Sequence, residues 1–88
     1  MISNENAKLL LARQMELYTL QSQMIDCLEQ QKIIFEKEAQ NTQHPMFLVL
    51  AAMNDMLMDS YKQSLEGLGN NVKTFKNLVE ISQMPDDE

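Results

Sequence analysis

The chain has 88 residues, 44% of them hydrophobic and 23% charged, with 13 acids against 7 bases for a formal charge of −6. That is the composition of a chain that folds, long enough for one domain and too short for a catalytic domain plus a regulatory one. Two Gly and two Pro leave almost no turn punctuation, which argues against an all-β sandwich or barrel, and one His with one Cys is thin material for catalysis.

The first predicted helix covers about residues 4–40. Ser3 or Asn4 can cap its start, and its interior holds neither Gly nor Pro. Leu10, Leu17, Leu20, Met24, Cys27 or Leu28, Ile34 and Phe35 follow at helical spacing and read as its core stripe. Leu9, Leu11, Met15, Tyr18, Ile25 and Ile33 lie off that stripe.

Residues 41–44 are the predicted turn. Pro45 disfavours a helical residue before it and suits the first position of a new helix, with Thr42 or His44 near the cap. The second helix is expected over about 45–83. Its stripe reads Met46, Leu50, Met53, Leu57, Tyr61, Leu65, Leu68, Val72, Phe75 and Val79 and passes through Gly67 and Gly69 without losing register. The glycines leave two readings open, a continuous or kinked helix and a break at 67–70; kept register favours the first. Pro85 ends the structure, and an acidic tail covers 85–88.

Two matched helices joined by a short turn predict an all-α fold, an antiparallel helical hairpin of two long helices. In that hairpin Tyr18 falls opposite Val72, and Phe35 is expected to pack on Phe47 beside the turn. Between Met46 and Met58 only Asn54 and Asp55 interrupt the apolar sequence, so this part of the second helix is apolar nearly all round. A lone hairpin would leave much of that surface in water. The expectation is a four-helix bundle, completed by dimerisation or by a partner protein. Met, unbranched and adaptable, suits such a contact. The residues expected to bind the partner are Met46, Leu50, Met53, Met56, Leu57, Met58 and Tyr61.

No enzyme is expected. His44 sits at the turn and reads as a cap or polar turn residue, while Cys27, about 25 Å away along the first helix, reads as a small apolar side chain on its stripe. Asp55 and Asp59 share a helical face, but the Glu-x-x-His that would complete a bundle metal site is absent from the sequence. Gly67-Leu68-Gly69-Asn70-Asn71 lacks the Gly and Lys of a phosphate loop. The bases are scattered, so no patch forms for a nucleic-acid backbone. No catalytic, cofactor or metal residue, no cofactor, no small-molecule substrate and no nucleic acid is expected. The longest apolar run, Met46 to Met53, is well short of the roughly 18–20 residues that span a bilayer, and residues 1–6 lack the pattern of a signal peptide. An unpaired cysteine fits a reducing compartment, and the expected location is cytoplasmic.

Pro45 opening a helix, the central Tyr61 and Val72-Lys73-Thr74-Phe75-Lys76 near the end resemble needle and inner-rod subunits of bacterial type III secretion. The first helix departs from their pattern, and the glycines fall where those subunits usually have none. The resemblance implies a self-assembling structural subunit or a secretion-type hairpin component. The residues themselves point first to a small non-catalytic interaction module, an adaptor, inhibitor or chaperone-like protein that binds itself or another protein through its Met-rich helix.

Overall fold

A computed structural model describes residues 2–85. Two 39-residue helices, α1 (Asn4–Thr42) and α2 (Pro45–Gln83), make up the fold, and no strand occurs among the described residues. Each helix is about 58 Å long at about 1.5 Å per residue. They run antiparallel, since Asn4 near the start of α1 bonds Ser82 near the end of α2.

The helix ends follow from local chemistry. Ser3 is extended and its hydroxyl accepts a bond from the Asn6 N–H, satisfying one of the free donors of the first turn. Two residues beyond the expected end, α1 stops as Gln43 turns left-handed with φ 55° and its N–H bonds the Ala39 carbonyl. Pro45 then occupies the first turn of α2, and His44 Nδ1 accepts the Met46 N–H at 3.1 Å. The helix runs unbroken through Gly67 and Gly69, neither of which has positive φ. Gly69 lies against Tyr18, and a Cβ there would stand 3.4 Å from the ring, in ordinary van der Waals contact. Beyond Pro85 the predicted acidic tail lies outside the described residues.

Between the helices lies a seam of strict three-and-four spacing. In α1 it is Ala7, Leu11, Gln14, Tyr18, Gln21, Ile25, Leu28, Lys32, Phe35 and Ala39; in α2 it is Phe47, Ala51, Asn54, Met58, Tyr61, Leu65, Leu68, Val72, Phe75 and Val79. These are the a and d positions of a heptad, the pattern by which two helices pack along their length. Ile25 and Met58 are 6% and 5% exposed, and Gln14 and Asn54 are buried with them.

Polar rungs cross this seam. Asn54 Nδ2 donates to the Leu28 carbonyl at 2.7 Å, Gln14 Nε2 to the Leu68 carbonyl at 3.4 Å and Gln21 Nε2 to the Tyr61 carbonyl at 3.4 Å. Each bond contributes about 1 kcal/mol and gives an amide in the seam a partner on the facing backbone.

The predicted hairpin is therefore present, but the predicted core stripe of the first helix is corrected. Leu10, Leu17, Leu20, Met24, Cys27 and Ile34 are exposed; of that stripe only Leu28 and Phe35 enter the seam. Two rows of identical spacing run along α1 one residue apart. Beyond residue 60, α2 has one complete apolar row, and the row of α1 that faces it is the one whose polar members reach carbonyls across the seam. The stripe read along α2 likewise joins two rows, because the step from Leu57 to Tyr61 is a helical step that passes from one to the other. Tyr18 does lie beside Val72 and Gly69. At the turn the ring pair is His44 with Phe47, centroids 6.4 Å apart and edge to face, in place of the expected Phe35–Phe47 pair. The register sets Phe35 level with Ala51 and Phe47 level with Ala39, large against small.

Candidate interaction face

The heptad also decides what each side of the hairpin displays. In an antiparallel pair the g positions of both helices flank the seam on one side and the e positions flank it on the other. Ion pairs mark the e side: Lys32 Nζ lies 3.1 Å from Asp55 and 3.9 Å from Glu36, and Lys62 Nζ lies 3.9 Å from Glu29. Every charged side chain of α2, namely Asp55, Asp59, Lys62, Glu66, Lys73, Lys76 and Glu80, occupies the e and b rows of that side. Half-exposed pairs of this kind contribute little stability each. The hydrogen bond from Lys32 to Asp55, with the attraction of that carboxylate, holds the Lys32 ammonium above its ordinary 10.5.

The opposite side carries the g and c rows. From α1 it shows Leu10, Leu17, Leu20, Met24, Cys27 and Ile34, with Arg13 and Glu38 towards its two ends. From α2 it shows Met46, Leu50, Met53 and Leu57, then Ser60, Ser64, Gly67, Asn71 and Thr74, then Leu78 and Ile81, without one charge. Both helices contribute to one shallow groove on this side, lined by Leu20, Met24, Cys27 and Gln31 of α1 and by Leu57 and Tyr61 of α2. Leu20 and Ile34 are each 57% exposed, Met53 56% and Leu57 51%. Near the turn the apolar surface continues around the hairpin through Ile33, Leu48, Val49 and Met56. An apolar band of this length exceeds what monomers ordinarily leave in water.

The residues predicted to bind a partner divide between these surfaces. Met46, Met53 and Leu57 are exposed on the uncharged side, Leu50 is half-buried beside them, and Met56 is exposed on the outer flank. Met58 is buried and Tyr61 half-buried in the seam, so these two hold the hairpin together. The α1 half of the face is the row expected as core; its signal is the absence of charge from the g and c rows over most of the helix. Cys27 is exposed, against the expectation of a buried small residue. His44 caps α2, in line with its reading as a turn residue.

Among the described residues no group of three or more His, Cys, Asp or Glu side chains gathers as a metal site, and no described helix is long and apolar enough to cross a membrane. No protein-family model, curated protein or solved structure matches the chain.

Proposed function

We propose that this protein is a small non-catalytic interaction module that works by closing its uncharged face against another polypeptide. The observation that carries the reading is the sorting of charge: α2 keeps all its charged side chains on one side of the hairpin and presents Met, Leu, Ser and Gly on the other. A helix that merely needed solubility would distribute its charges around every exposed face. The hairpin's own core supports the same reading, since Ala7, Ile25 and Met58 are its buried hydrophobic residues. So little burial leaves the fold dependent on added cover. Catalysis has no support in the placement of Cys27 and His44, which lie about 25 Å apart along α1. A cytoplasmic setting suits the single exposed thiol.

Leu57→Asp tests the reading by placing a carboxylate in the middle of the face. The variant is expected to abolish association measured by light scattering after size exclusion, while Lys73→Asp on the charged side leaves association intact. A monomeric wild-type chain that melts cooperatively at every concentration, with a midpoint unmoved by Leu57→Asp, would refute it.

A further inference from the structure

Resting on that reading, we propose that the occupant of the uncharged face is a second copy of this chain, turned end for end about a two-fold axis that crosses the hairpin at Ser22 and Ser64. The Asn4–Ser82 and Lys32–Asp55 contacts set those two serines level with each other.

The face is close to a palindrome about that level. Along α2, turning the chain end for end brings Met46 to Ile81, Leu50 to Leu78, Ser60 to Gly67 and Ser64 onto itself, and between these it sets Met53 against Thr74 and Leu57 against Asn71. Bulky residues meet at both ends, one large apolar side chain meets a smaller polar one at each level between, and small residues meet in the middle, where two helices can approach closely. Along α1 the same axis brings Leu10 to Ile34, Leu17 to Cys27 and Leu20 to Met24. Arg13, the charge nearest the centre of that row, meets the polar Gln31 instead of an apolar side chain. A two-fold contact requires such self-complementarity of one patch; α1 meets it along its apolar pairs and α2 at its ends and its centre, about one common axis. The alternative stacking, with both turns at one end, would crowd the Met-rich segments of both copies there and leave the small residues to the middle.

Charge and area agree. Two chains of formal charge −6 repel, and joining them through the side that lacks the α2 charges keeps most like charges on opposite outer surfaces of the assembly. A face about 50 Å long and two helices, about 20 Å, wide offers about 1,000 Å² per copy, the size of a stable dimer interface. The seams within and between hairpins then stand at roughly a right angle around each helix, the geometry of a four-helix bundle.

The test combines mass with a cross-link. Sedimentation of the wild-type chain from low to high micromolar concentration should show a species of twice 10.2 kDa. In a Cys27→Ser background, Ser64→Cys should form a disulfide between copies under mild oxidation, because residue 64 meets itself only in the end-for-end arrangement. Gly67→Leu is the second variant. Nothing lies within 4 Å of a Cβ at Gly67, so the hairpin tolerates the change, whereas the small centre of the dimer does not. Helicity should persist while dimerisation weakens at least tenfold, about 1.4 kcal/mol. A dimer that gives no 64–64 cross-link, or one indifferent to Gly67→Leu, overturns the proposal. So does a chain monomeric throughout the range. If that monomer is poorly folded, the interaction reading stands and its occupant is a different protein; if it melts cooperatively and ignores Leu57→Asp, both fail.

Discussion

The two longitudinal rows of α1 invert the usual relation between apolarity and burial. The inner row, from Ala7 to Ala39, contains Gln14, Gln21 and Lys32 yet packs against α2; the outer row, from Leu10 to Ile34, is more apolar yet faces out. In a hairpin the inner row needs complementary size, and it can hold amides where the facing backbone offers them carbonyls. The outer row needs only to be driven from water, which Leu, Met and Ile do best. On the proposed reading, the more apolar row of α1 is the one that joins molecules.

Substitutions at adjacent residues separate the two roles. Ile25→Ala, in the inner row, should destabilise the hairpin by about 2–4 kcal/mol through lost burial and a residual cavity. Thermal melts should show that loss at every protein concentration. Met24→Ala, one residue away in the outer row, should cost about 1–2 kcal/mol and only where molecules associate, so its effect on the midpoint should fade on dilution. Equal losses at all concentrations for both would erase the distinction between the rows.

The polar rungs provide a finer contrast. Asn54→Leu replaces a buried amide, bonded to the Leu28 carbonyl, by an apolar side chain of similar size. The Leu28 carbonyl keeps its place in the helix ladder, so the midpoint should rise by a few degrees, about 1 kcal/mol. A large loss of stability would show that the amide bond outweighs the gain from burying an apolar side chain.

The smallest effect belongs to Lys32. Its ammonium is held above the ordinary 10.5 by Asp55, so its contribution is fully present below that value and is lost as pH rises through the folded value. Thermal midpoints of the wild type and Lys32→Met should converge above pH 10.5, and the difference below it should shrink in high salt. A difference that grew with pH would reverse the assigned sign.

Much of the fold was legible in the sequence for physical reasons. Pro45 can open a helix but not continue one from His44, and the unbroken register from Leu65 to Val79 carries α2 across both glycines. The facing of α1 was not legible, because the rows through Leu10 and Leu11 have the same period and hydrophobicity favours the wrong one. Only the partner helix, with its aligned seam and its amides reaching carbonyls, distinguishes them. The α2 part of the candidate face is visible in its Met-rich run; Met58 falls in the seam instead, and Tyr61 stands at the edge between seam and groove, because a stripe that drifts by one residue changes sides unnoticed. Its α1 part was hidden by the same error that took those residues for core.

Cys27 offers the most direct measurement, since it lies exposed in the middle of the α1 part of the face. The rate at which its thiol reacts with a soluble disulfide reagent can be followed in the wild-type chain over a dilution series at fixed pH. If the face is closed by association, the rate constant should be low at high protein concentration and rise on dilution towards that of the unfolded chain. A rate constant that is fast and independent of concentration, in a chain that remains helical, would contradict a closed face.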